Sequence, residues 1–232
     1  VIKHMSRARG TGGVSVSIDD RYSPGKYLEE EHGVPLYRCP IPIGIRNTDW
    51  LIKTLSGITG KQIPGSLAVE RGRLLDAMID SHKYNGEGTV AIFGDPETVY
   101  AVTSLCLENG ITPLIAATGS KNLKFRNLIA AKGTQAIDGT DFEYVHEQVK
   151  KLRPHLLIGN SDGKIIREKE HIPLIRIGFP IHDHIGAQRK LFVGYRGSMR
   201  FLDDITNTLL DLKNESYRQK LYSEFFCRQG NT

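Results

Sequence analysis

Cysteine is scarce in this chain: three among 232 residues, at Cys39, Cys106 and Cys227. Wide spacing and an odd number give no disulfide framework and no CxxC metal pair, so a reducing, cytoplasmic compartment is expected. Long apolar runs are missing as well. No stretch approaches the roughly 18 apolar residues of a membrane span, and no signal peptide is read at the start. The familiar nucleotide signatures are also lacking, with no GxxxxGK[ST] and no GxGxxG after a strand. "RGTGG" at residues 9 to 13 is too short to count. No GxSxG elbow surrounds a serine and no Ser, His and Asp order suggests a triad, which argues against nucleophilic catalysis. Charge of one sign is not concentrated either: 31 Lys and Arg against 26 Asp and Glu leave a net +5. The short basic groups from Lys3 to Arg9 and from Arg189 to Arg200 lack interleaved aromatics, so no nucleic-acid partner is expected.

What remains is an ordinary globular composition, 39% hydrophobic and 25% charged, with ample apolar surface for a core. The opening "VIKHMSRARG" reads as the end of a helix, and a segment upstream of it is expected. Up to about residue 60 the pattern is strand, helix, strand, helix. "VSVSI" (Val14 to Ile18) alternates like a half-buried strand. Ser23 and Pro24 open a helix that Gly33 stops, and "VPLYRC" is a short strand. Asn47 or Thr48 is the expected N-cap of a helix that Gly60 closes. A long amphipathic helix follows from Pro64 to about Tyr84. After Gly88, apolar strands ("TVAIFG", "TPLIAATG", "TQAID", "HLLIGN", "PLIRIGFP") alternate with helices. Asp95 and Pro96 start one helix, and Thr140 with Glu143 forms a capping box for another. This alternation predicts an α/β fold: a doubly wound parallel, Rossmann-like sheet, preceded by the end of a second α/β domain. The expected division is 1–62 for the preceding domain, 63–85 for a connecting helix, and 86–232 for the C-terminal domain with its helical tail.

Three places invite a chemical reading. In "RLLDAMIDSH" (residues 73 to 82), Asp76 and Asp80 stand four apart on a helix, stacked about one turn from each other. Like charges so placed repel by a few tenths of a kcal/mol. They belong either to a solvated face, neutralised by Arg71, Arg73 or His82, or to half of a metal site. Calcium takes six to eight oxygens and magnesium six, so partners from elsewhere would be needed. The loops after the strands, "GDPE", "TGS", "GNSDG" and "GFPIHDH", lie where ligands gather in such sheets. There Asp95, Asn160 and Ser161 are either helix caps or ligand contacts. In "IHDH", alternation along an extended strand would place His182 and His184 on one side, as a metal needs, but no third ligand is visible nearby.

Four stretches taken together resemble one family. They are "YLEEEHGVPLYRCPIPIGIRNTDWLIKTLSGITGKQIP", "ERGRLLDAMIDSH", "VAIFGDPETV" and "LLIGNSDGKIIREKEHIPLIRIGFPI…VGYRGSMRFLDDITNTLL". In this order they are similar to nitrogenase component 1, and best to its β-type subunits: the molybdenum–iron protein β chain and the related N subunit of the cofactor-assembly scaffold. The resemblance covers nearly the whole chain from about residue 14. It implies three Rossmann-like domains in a full subunit, an α-type partner, a second β-type subunit, and electron delivery by an ATP-hydrolysing iron protein. It implies iron–sulfur clusters of the P-cluster type and a molybdenum–iron type cofactor in the full assembly, but no cofactor within this stretch. Cys39, Cys106 and Cys227 match no cluster ligand of the family, so no catalytic residue carries over. Asp76 and Asp80 match the two aspartates that help bind a metal ion, calcium or iron, between two β subunits. The run after "GFP" departs from the histidine-rich pattern of catalytic β chains and, with "VGYRG", is closer to the scaffold subunit, whereas the aspartate pair and the "ERGRL" block lean toward catalytic β subunits. An independent small-ligand-binding Rossmann module is the reading outside the family.

Overall fold

A computed structural model describes residues 2–225. Its first layer is a parallel pair, β1 (Thr11–Val14) and β2 (Leu36–Cys39), joined by helix α1 (Pro24–His32). The start and stop signals of α1 act as their chemistry dictates. The Ser23 side chain accepts from the Lys26 amide, Pro24 occupies the first turn, and Gly33 ends the helix at φ 66°. Helices α2 (Ile45–Thr59) and α3 (Gly65–Asn85) come next.

Five parallel strands build the main sheet: β3 (Thr89–Phe93), β4 (Thr112–Thr118), β5 (Gln135–Asp138), β6 (Leu156–Gly159) and β7 (Leu174–Arg176). Their order across the sheet is β5-β4-β3-β6-β7. The connecting helices are α4 (Pro96–Glu108), α5 (Leu123–Ala130), α6 (Phe142–Leu152) and α7 (Lys164–Glu170), and α8 (Gly194–Phe225) follows the last strand. Neighbouring strand residues alternate between two apolar layers. Val90, Ile92, Ala116, Leu156 and Ile158 pack with Val102, Phe125 and Phe201 of α4, α5 and α8. Ala91, Phe93, Ile115, Ala117 and Leu157 pack with Val145, Val149 and Ile166 of α6 and α7. Burial on both faces explains why the strands read as nearly unbroken apolar runs. The fold is α/β, with helices on both faces of a parallel sheet.

Strand order reverses between β3 and β6, which creates the crevice at the carboxyl ends where open α/β sheets take ligands. Gly159 closes β6 at this point. A Cβ there would collide with the ring and carbonyl of Phe93, so only glycine lets the two strand ends run so close.

Three local expectations are corrected. The strand read at Val14 to Ile18 lies earlier, at Thr11–Val14. Residues 15 to 17 instead wrap the Glu97 carboxylate, which accepts from the Val16 and Ser17 amides at 2.8 and 2.9 Å and from the Ser15 and Ser17 hydroxyls at 2.6 and 2.5 Å. The serine alternation therefore serves a clamp and not a pleat. Helix α2 begins before Asn47 and Thr48, with Gly44 at its N-cap and no capping side chain of its own. Glu108 of α4 does that work, accepting from the Ile45 and Arg46 amides at 2.8 and 3.1 Å. Asn47 and Thr48 are buried and donate back to the Ile43 and Gly44 carbonyls. Finally, Asp141 and not Thr140 caps α6, taking the Tyr144 amide at 2.9 Å.

Candidate functional site

Helix α3 packs through Leu74, fully buried beside Ile45 and Tyr195. Asp76 and Asp80 stand on the side away from Leu74, as their angular offsets of roughly 200° and 240° require. Both are exposed. Gly72 lies one turn before Asp76 with open space around it, and Ile79, between the aspartates, is 74% exposed. The two arginines expected to neutralise them are engaged elsewhere, and His82 stands exposed without an ion pair to either aspartate. Arg71 pairs with Asp49 at 3.0 Å, an oxygen that also accepts from the Tyr195 hydroxyl at 2.6 Å. Arg73 pairs with Glu70 at 3.0 Å, and Glu70 also takes Arg196 at 3.0 Å. Neither Asp76 nor Asp80 makes an ion pair or hydrogen bond with a described side chain.

Two carboxylates about one turn apart form a hard, oxygen-only donor pair suited to calcium or a similar cation. Among the described residues, no group of three or more His, Cys, Asp or Glu gathers to hold a metal. Among the described residues, Asp76 and Asp80 thus gather no third side chain of these types around them. The two described cysteines stand apart from any group of potential metal ligands. Cys39 and Cys106 are both buried, and Cys106 sits inside the sheet core. Burial pushes the Cys39 thiol up and the Cys106 thiol to about 12. Cys227 lies outside the described residues.

At the carboxyl end of the sheet, Asp95 is a cap, accepting from the Thr98 amide at 3.0 Å. Asn160 and Ser161 are not side-chain caps; they hold the loop after β7. The Ser161 hydroxyl donates to Asp183 at 2.5 Å and accepts from the His182 amide at 3.0 Å. Asp183 also grips Arg176 through two hydrogen bonds, at 2.8 and 2.6 Å. That guanidinium holds the Asp183 carboxyl well below the usual carboxylate range. The strand expected to align His182 with His184 ends at Arg176. The two histidines stand exposed on an irregular loop, so the residue of "HDH" with a defined role is the central aspartate. Sequence reasoning passed over Glu97, Glu108 and Asp183. The bonds of the first two reach across 62 to 82 residues, and no local signal announces them.

With this geometry in place, the comparisons with known proteins decide the family. The model of the nitrogenase component 1 type oxidoreductases matches residues 2–210. The chain belongs to that family. It is 40% identical over 193 residues to the nitrogenase molybdenum–iron protein beta chain of Clostridium pasteurianum, covering 80% of this chain and 42% of that one. To the nitrogenase vanadium–iron protein beta chain of Trichormus variabilis it is 33% identical over 215 residues, covering 87% and 46%. The solved structure of nitrogenase Cp1 at pH 6.5 superposes with a TM-score of 0.77 at 39% identity, over 81% of this chain and 42% of that one. This member of the component 1 family thus spans a little under half the length of those relatives. No helix among its described residues is long and apolar enough to cross a membrane.

Proposed function

We propose that this chain is the C-terminal part of a β-type subunit in a nitrogenase-type oxidoreductase, framing the metal-cluster side of an α–β pair. In that assembly an iron protein would deliver electrons with ATP hydrolysis, and the redox clusters would be held by other segments. Residues 1–62 read best as the end of a preceding Rossmann-like domain, 63–85 as the link, and 86–232 as the C-terminal domain. The separate parallel pair β1–β2 and the five-stranded sheet support that division. Within this reading, Asp76 and Asp80 supply half of an interfacial site for calcium or iron, and a second β-type subunit supplies the remaining oxygens.

The observation that carries the site is the contrast along α3. Its cations at Arg71 and Arg73 are paired within the chain, while Asp76 and Asp80 face outward without partners. A chain that keeps two repelling carboxylates unneutralised on one turn is suited to receive a cation from outside. The test is metal analysis and sedimentation of the full-length assembly with Asp76→Ala and Asp80→Ala. Loss of interfacial metal, or a weaker β–β contact, is expected; unchanged metal content and assembly would leave only a solvated face. Cluster content of the purified assembly separates the two β-type roles. A P-cluster supports the catalytic subunit, towards which the aspartate pair leans, and a cluster precursor without substrate reduction supports the scaffold, towards which the "HDHIGAQRK" run leans.

A further inference from the structure

A cavity of about 410 Å³ opens between the loop after β7 and the first turns of α8. It shares no residue with the α3 pair. Leu191 and Phe192 form its apolar side. Leu191 is 43% exposed, and Phe192 packs edge-to-face on the buried Phe201 with ring centres 5.2 Å apart. The backbone fixes these walls. Gly197 lets the Phe192 backbone lie directly on α8, where a Cβ would come within 2.5 Å of the Phe192 carbonyl carbon. The Gly194 amide donates to the Pro42 carbonyl at 2.8 Å, and the Lys190 amide to that of Ala187 at 3.2 Å. A concave, partly apolar space of this size with a few charged groups in its lining is the usual form of a small-ligand site.

The charges give the cavity its sign. Arg189, Lys190 and Arg200 line it together with Asp203 and Asp204. An arginine on a helix ordinarily pairs with acids three or four residues away, and Arg200 has Asp203 and Asp204 at those positions. Yet Asp204 takes Lys190 instead, at 3.4 Å. Asp203 takes no cation among the described residues, and its carboxyl is raised by partial burial and by the charge of Asp204. Neither Arg189 nor Arg200 makes a side-chain ion pair or hydrogen bond with a described residue. Other arginines nearby are engaged, Arg176 by Asp183 and Arg196 by Glu70. The lining thus carries two guanidiniums that receive no acceptor from the chain.

We propose that this cavity binds a small organic carboxylate, with its anionic end on Arg189 and Arg200 and its apolar body on Leu191 and Phe192. Each guanidinium offers a planar fork of N–H donors that matches a carboxylate. Inorganic phosphate would use the arginines and leave the apolar wall idle. A metal cation would meet two uncompensated positive charges. A neutral apolar molecule would leave both arginines without an acceptor. Asp203 opposes the anion through its charge alone, and Asp204 is offset by Lys190.

The test is calorimetric titration of the full-length assembly with phenylacetate, using phenylacetamide as the neutral isostere and inorganic phosphate as the anion without an apolar body. Saturable binding of phenylacetate is expected, with a dissociation constant on the order of 1 mM, and both controls should bind at least about tenfold more weakly. Arg189 and Arg200 are exposed and partnerless among the described residues, so replacing them does not endanger the fold. Arg189→Gln and Arg200→Gln should each weaken phenylacetate about tenfold, while Asp203→Asn should tighten it about threefold. No saturable heat, equal binding of phenylacetamide or phosphate, or unchanged affinity in both arginine variants would overturn the proposal. So would a structure of the full-length chain in which another segment of the protein fills the cavity.

Discussion

Two sets of carboxylates divide the molecule. Those on α4 and in the loop after β7 look inward: Glu97 gathers residues 15 to 17, Glu108 caps α2, and Asp183 holds Arg176 and Ser161. Those on the outer side of α3 look outward and meet no partner among the described residues. The difference is not one of charge or of helix against loop, since Glu97 and Asp76 are both acids on helices. It lies in what surrounds them. A half-buried carboxylate is tolerated where several N–H or O–H donors converge on it. An exposed one without donors adds little to the fold and is free for a partner the chain lacks.

That contrast can be broken at several points. The largest effect is expected from Asp183→Ala, which strands the nearly buried Arg176 charge and should cost roughly 3 kcal/mol in urea unfolding. The depressed Asp183 carboxyl also sets a sign. Its contribution is complete above the ordinary carboxylate range and disappears as pH falls toward its own lower value, so acid unfolding should shift upward in the variant. Next comes Glu97→Ala, which leaves the amides of Val16 and Ser17 unpaired, at about 2 kcal/mol. Limited proteolysis should then cut near residues 15 to 18.

Glu108→Ala removes the cap of α2 and should cost about 1 kcal/mol. Here the pH sign is opposite. Burial raises the Glu108 carboxyl despite the two amides it accepts from, so its ionisation weakens the fold. Stability should decline as pH rises from the ordinary carboxylate range through the raised value, and Glu108→Gln should flatten that decline. The smallest effect belongs to the outward set. Replacing Asp76 and Asp80 together by Ala should change unfolding stability by less than about 0.5 kcal/mol, toward stabilisation because a like-charge pair is removed. A loss well beyond that would show that α3 uses these residues inside the chain and would erase the distinction.

Sequence reading recovers those parts whose physics is local. Ser23, Pro24 and Gly33 bound α1 because caps and left-handed stops depend on residues within one turn. The parallel sheet is legible because burial on both faces leaves no polar alternation in β3, β4 and β6. Asp76 and Asp80 can be placed on one helical face from spacing alone. Their lack of partners cannot, because it depends on Asp49 and Glu70 having claimed the arginines first. Residues 15 to 18 mislead for a related reason: alternating serines look pleated until a carboxylate 80 positions away is seen to bind them. Asn160 reads as a cap, and only the packed loop after β7 shows that its amide nitrogen instead donates to Asp162 and to the Phe179 carbonyl.

The borrowed cap of α2 bears on how the chain is made. During synthesis the residues that start this helix leave the ribosome some sixty positions ahead of Glu108, the acid that completes it. At translation speeds of about 5–20 residues per second, the delay lasts several seconds. Over that interval the amides of Ile45 and Arg46 lack the carboxylate that later accepts from them. The first turn of α2 is therefore completed only once the strand-and-helix unit containing α4 has emerged.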